Sequence, residues 1–115
     1  MITVYGIPNC NSIKKTFDWL KNNQKEYQFH DYKKSGITQA KLTAWCKKAG
    51  WENVLNKKGT TWKKLSLSEQ EKVTNAALAI QMMLEHNSMI KRPVIEFGEN
   101  VLVGYDEEVF LKTIK

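Results

Sequence analysis

Arginine is nearly missing from this chain. Of its 18 Lys and Arg residues only one, Arg92, is an arginine, and the net charge of +6 is carried by lysine. The lysines are spread along the chain rather than massed in a tail, which argues for a solvated surface; nucleic acid is not expected as a partner. Cysteine is scarce too. Two residues, Cys10 and Cys46, cannot make a disulfide framework. His30 and His86 stand apart from both cysteines, and no Cys/His/carboxylate spacing suggests a metal site. Only two prolines occur, with no low-complexity tract, internal repeat or linker. No apolar run approaches the length that spans a membrane, and no signal-peptide pattern opens the chain, so a cytoplasmic protein is expected.

The 115 residues suffice for one domain with a real core, and 42% hydrophobic with 26% charged residues is ordinary for a globular protein. The stretch that organises the chain is Tyr5-Gly6-Ile7-Pro8-Asn9-Cys10-Asn11-Ser12. Ile2-Thr3-Val4-Tyr5 before it has strand character. After it, Ile13, Phe17 and Leu20 recur at i, i+4, i+7, a helix period. Cys10 therefore falls on a strand-to-helix loop marked by Gly6 and Pro8, with Asn11 or Ser12 as the expected N-cap. Unpaired N–H groups and the partial positive charge of a helix start favour a thiolate. Lys14 and Lys15 add charge within a turn, and the same N–H groups suit an anion beside the sulfur.

Glu26 to Tyr32 alternates polar and aromatic residues and reads as a second strand, parallel to the first across a βαβ unit. Thr38 then caps a helix whose apolar face is Leu42, Trp45, Cys46 and Ala49, stopped by Gly50; Cys46 is placed in the core. Trp51–Leu55 reads as a helical turn and residues 56–62 as a polar loop. Ser68 with Glu71 fits a capping box. Val73, Ala76, Ala77, Ile80, Met83 and Leu84 make a helical face that Asn75 breaks in two. Ile90 to Phe97 is the next strand, turned at Gly98-Glu99-Asn100 into Val101-Leu102-Val103 as an antiparallel hairpin. Asp106 caps a last helix, with Glu107 and Glu108 at its start and Lys112 and Lys115 near its end. The four tryptophans form no basic-aromatic stripe and are assigned to the core.

The lone Arg92 sits immediately before Pro93, which pushes it to an extended backbone and so fixes its direction. Its planar fork grips oxyanions with paired hydrogen bonds, which lysine cannot do.

The order strand, Cys loop, helix, strand, helical block, Arg-Pro, hairpin, helix resembles the arsenate reductase (ArsC)-like family of thioredoxin-fold proteins. The resemblance runs the whole length. It is carried by Val4 to Cys10, Phe29-His30-Asp31-Tyr32, Leu55 to Trp62, and Ile90-Lys91-Arg92-Pro93, and it is nearest the YffB/Spx-type branch, particularly the YffB subgroup. It implies an α/β thioredoxin-like fold: a four-stranded mixed sheet from about 1–33 and 88–115, with a helical insertion at about 37–87, as one domain. It implies a nucleophilic cysteine at Cys10 and an oxyanion-binding arginine before a cis-proline at Arg92 and Pro93. Asn9, Asn11, Ser12, Lys14 and Lys58 join Pro93 as the expected substrate- and glutathione-binding positions. Glutathione or glutaredoxin supplies the resolving thiol in such proteins, with no tightly bound cofactor.

The departures from the family pattern bear on substrate. Arsenate reductases carry further arginines around the cysteine. Here the middle loop offers Asn56, Lys57 and Lys58, and the last hairpin reads Val103-Gly104-Tyr105-Asp106. Poor arsenate reduction is therefore expected. The substrate is an oxyanion or a disulfide, attacked by Cys10, with glutathione resolving the adduct. The Spx-like regulators often carry a Cys-x-x-Cys pair; Ile13 stands at that second position, so Cys10 needs an external thiol unless Cys46 comes close. The alternative function is a non-enzymatic regulator that docks on RNA polymerase.

Overall fold

The computed structural model describes residues 1–114, so the Lys115 expected near the last helix end lies outside the described residues. Two compact units are present: residues 1–35 together with the chain from Arg92 on, and Gly36–Lys91.

The first unit is built on a mixed four-stranded sheet in the order β2-β1-β3-β4. Strand β1 (Ile2–Gly6) lies at its centre, parallel to β2 (Tyr27–Asp31) and antiparallel to β3 (Val94–Phe97), which pairs with β4 (Asn100–Val103). The parallel β1–β2 pair is joined through helix α1 (Asn11–Asn22), as a βαβ crossover requires. The hairpin turn has Gly98 at φ 59° in its first central position, the conformation that fits a tight hairpin twist and that glycine adopts without strain. Period-2 alternation sends Ile2, Val4 and Ile95 to one face. There they pack with Ile13, Trp19 and Leu20 of α1 and with Phe110 and Ile114 at the chain end. Trp19 meets Phe110 edge-on at 5.2 Å, a favoured aromatic geometry. Asp106 caps the last helix by accepting from the N–H groups of Glu108 and Val109. Tyr32, expected in the second strand, instead opens the short helix α2 (Tyr32–Ser35), whose N–H groups at Lys33 and Lys34 are taken by Asp31 Oδ1 at 3.0 and 3.2 Å.

The second unit is helical. Thr38 caps α3 (Gln39–Ala49), and Gly50 ends it at φ 89°. Leu42, Trp45 and Cys46 are buried on its inner face. Helices α4 (Trp51–Val54), α5 (Thr60–Lys63), α6 (Leu67–Glu71) and α7 (Ala76–Glu85) follow, then a 3₁₀ turn at Asn87–Met89. Four local expectations are corrected. The segment 56–62 is not all loop: Asn56 Oδ1 accepts from the Lys58 N–H at 3.1 Å, and the buried Trp62 draws Thr60–Lys63 into a helical turn. The capping box is Ser66 with Glu69, not Ser68 with Glu71; the Ser-x-x-Glu spacing occurs twice, and the earlier copy meets the free N–H groups. In α7, capped by Asn75, the buried stripe is Ala79, Ile80 and Met83, while Ala77 and Leu84 face outward. The strand expected from Ile90 begins only at Val94, because Pro93 has no N–H for the ladder. Ile90 pairs with Leu55 in a separate bridge that closes the second unit.

Candidate active site

Three segments converge at the C-terminal end of β1. The first is the loop after Gly6. A β-carbon on Gly6 would press into the Ile13 side chain, so glycine lets α1 start this close to the strand without displacing Ile13. Pro8 and Asn9 make the turn. Asn9 takes φ 66°, a left-handed conformation that asparagine tolerates, and proline before it suits such a turn. Cys10 is then extended, at φ −106° and ψ 135°, and is itself the N-cap of α1. Its carbonyl accepts from the Lys14 N–H at 3.0 Å. The expectation that Asn11 or Ser12 caps the helix is thus corrected. Core packing decides the start: burying Ile13 against Gly6 makes it the third helical residue, which leaves Cys10 at the cap.

The second segment is Arg92–Pro93, whose peptide bond is cis, as the family resemblance implied. Pro93 is buried and its carbonyl accepts from the Gly104 N–H at 2.8 Å. The next residue, Val94, pairs with Tyr5 on one side and Val103 on the other. The Arg92 guanidinium reaches the Cys10 sulfur as a hydrogen-bond donor.

These contacts set the state of Cys10. Partial burial by itself pushes the thiol up. The N–H groups of Ile13 and Ser12 and the guanidinium of Arg92 outweigh it, and hold Cys10 below the usual thiol range. The neutral sulfur closes no full cap hydrogen bond, so this help is electrostatic and favours the thiolate. The cation that acts foremost on the sulfur is Arg92. Lys15 is turned over the Tyr105 ring, 5.9 Å from its centroid, and Lys14 is exposed.

The third segment, which the sequence reading did not single out as part of the site, brings Tyr32. Asp31 pairs with Gly6, so Tyr32 is the first residue past the sheet, beside the cysteine loop. Its side chain is fully buried and its phenol oxygen accepts from Arg92. An aromatic residue at the end of the strand parallel to β1 was the available signal.

Of the other expected positions, Asn9 and Asn11 are exposed on the rim and Ser12 is half-buried, its carbonyl taken by the Thr16 hydroxyl at 2.7 Å. Lys58 belongs to the second unit, where it lines a cleft of about 160 Å³ with Asn56, Lys57 and Lys91. Lys57 lies over the Trp51 and Trp62 rings at 5.4 and 5.7 Å, a cation–π arrangement that engages its charge. Beside Pro93, the hairpin carries Gly104 at φ 88° and then Tyr105, whose hydroxyl donates to Glu107 and is pushed up to about 12. Cys46 is buried in α3, and burial holds its thiol protonated. Among the described residues no His/Cys/Asp/Glu group could hold a metal ion, and no helix is long and apolar enough to cross a membrane.

Residues 5–113 match the model of the ArsC family. The chain belongs to the ArsC family. The solved structure of the YffB protein is 40% identical, covers 100% of both chains and superposes with a TM-score of 0.94. An arsenate reductase (ArsC) related protein from Brucella melitensis is 39% identical over 99% of this chain and 94% of its own, with a TM-score of 0.78. The global transcriptional regulator Spx of Streptococcus agalactiae is 23% identical over 94% of this chain and 79% of its own length. The chain thus lies in the YffB/Spx-type branch of the family, with the thioredoxin-like α/β fold that its order of elements implied.

Proposed function

We propose that this ArsC-family protein is a glutathione-dependent thiol reductase with a single nucleophilic cysteine and little activity on arsenate. The observation that carries the reading is Cys10 at the N-cap of α1, its thiolate favoured by two backbone N–H groups and by the Arg92 fork. The Cys10 thiolate attacks the glutathionyl sulfur of a mixed disulfide. A Cys10–glutathione disulfide forms, the sulfur–sulfur bond of the substrate breaks, and the departing thiolate takes a proton from water. A second glutathione, as thiolate, attacks the glutathionyl sulfur of the adduct; oxidised glutathione leaves and Cys10 returns as thiolate. Arg92 orients the anionic substrate or a glutathione carboxylate. Asn9, Asn11, Ser12, Lys14 and Pro93 line the approach.

Arsenate needs a cluster of forked donors. This chain has one arginine, and where further arginines are expected it offers Lys57, Lys58 and Gly104. A lysine is a point charge and does not reproduce a bidentate grip. Each lost charge-assisted hydrogen bond costs roughly 1.5–3 kcal/mol, so two losses weaken transition-state binding by roughly two to four orders of magnitude. The test is to assay arsenate and a glutathione mixed disulfide side by side on the purified protein. Turnover of the mixed disulfide with arsenate slower by those orders is expected; arsenate turnover equal to that of a dedicated arsenate reductase overturns the assignment.

The similarity to Spx favours a second reading, a regulator that docks on RNA polymerase. Recovery of stoichiometric polymerase with the tagged protein, with no thiol turnover, would favour it over the enzyme.

A further inference from the structure

We propose that Tyr32 is a positioning residue for Arg92: its buried phenol oxygen anchors the guanidinium and holds the fork against the Cys10 sulfur. Strand register places it there. Gly6 and Asp31 are the last paired residues of β1 and β2, so the cysteine loop and Tyr32 leave the sheet at the same end. Asp31 fixes the backbone after the strand by accepting from Lys33 and Lys34, and the Tyr32 ring is fully buried. The guanidinium donates both to the phenol oxygen and to the sulfur.

The chemistry of the anchor matters. A free arginine side chain must give up its rotamer entropy before it acts on one atom. A carboxylate anchor would immobilise it and also cancel its charge. A phenol immobilises it and leaves the charge available for the thiolate and for an anionic substrate. Burial, with Cys10 and Asp31 close by, pushes the ionisation of Tyr32 well up, so it serves as a neutral acceptor across the working pH range.

The kinetic consequence rests on the reductase reading, but the effect on the sulfur is measured without substrate. In a Cys46→Ala background, the pH dependence of Cys10 alkylation by iodoacetamide is followed in the parent, Tyr32→Phe, Arg92→Gln and the double variant. Tyr32→Phe should raise the midpoint by roughly half a pH unit, since a cation within ~4–6 Å of an ionising group shifts it by one unit or more and here only its placement is loosened. Arg92→Gln should raise it further, and Tyr32→Phe should add nothing once Arg92 is gone. A midpoint unmoved by Tyr32→Phe, even with stability lost, overturns the proposal. So does a shift of equal size with and without Arg92. If Tyr32→Phe does not fold, a nuclear Overhauser contact between the Arg92 guanidinium protons and the Tyr32 ring in the unaltered protein decides; its absence overturns the proposal. Turnover of a glutathione mixed disulfide should fall roughly tenfold in Tyr32→Phe, less than the ~10²-fold cost of a full 1 Å misplacement because the fork is loosened and not removed. Absence of turnover in the parent would sink the reductase reading while the midpoints still judge Tyr32.

Discussion

Gly6→Ala joins the core to the site in a single methyl group. Gly6 has no left-handed backbone, so alanine fits its conformation. Replacing glycine by alanine where the backbone conformation is compatible ordinarily gains about 0.4–1 kcal/mol. Against this, the new carbon would sit 2.2 Å from Ile13 Cδ1 and 2.9 Å from Cγ1, and Ile13 is 1% exposed. Overpacking a filled core costs about 1–3 kcal/mol, and a gap this small belongs in the upper half of that range. The net loss is about 1–2.5 kcal/mol, a fall in Tm of roughly 4–10 °C for a domain of this size. Ile13 also presents its N–H to Cys10, so pushing it away should raise the alkylation midpoint as well. Ile13→Val removes the atom that clashes most and alone costs about 0.5–1.5 kcal/mol. If the clash is the cause, the double variant Gly6→Ala/Ile13→Val loses less than the sum of the two, by about 1 kcal/mol, the coupling expected of residues in contact. Urea denaturation of the four proteins measures this. Strict additivity, or a Gly6→Ala protein as stable as the parent, would refute the reasoning.

Cys10 should alkylate with a midpoint below the free-thiol value of about 8.5; its rate then falls as pH drops through that midpoint, whereas Cys46, held protonated by burial, reacts only at higher pH or on unfolding. A Cys10 midpoint at or above the free value contradicts the site. Cys46→Ala should leave thiol turnover largely intact and Cys10→Ser should abolish it, by coupled assay; loss in both folded variants would instead favour a disulfide between the two. Asp106→Ala removes a cap that serves two N–H groups and should cost about 1 kcal/mol by denaturation, leaving the Cys10 midpoint unchanged. Arg92→Lys keeps a charge but not the fork, so turnover of the mixed disulfide should drop while Cys10 still alkylates readily.

Most of the architecture was legible because periodicity and punctuation agreed. The apolar, β-branched run Ile2–Tyr5, the helical spacing of Ile13, Phe17 and Leu20, the break at Asn75 and the caps at Thr38 and Asp106 each named their element. What was not legible depended on tertiary contact. Nothing local says that Cys10 rather than Ser12 begins the helix; that follows from Ile13 fitting over Gly6. The two Ser-x-x-Glu spacings are equivalent until the backbone selects Ser66. In the site, Cys10 and Arg92 carried local signals, a strand-loop-helix position and a proline. Tyr32 carried only its place at a strand end, and its role appears once register sets it beside Arg92.

The central claim is that Cys10 is a nucleophile completed by glutathione, and mass spectrometry after treatment with oxidised glutathione tests it most directly. The account predicts one glutathionyl group on the Cys10 peptide, none on the Cys46 peptide, and release of the adduct by reduced glutathione. A Cys10 that stays unmodified in the folded protein, or an adduct that reduced glutathione does not release, would contradict it.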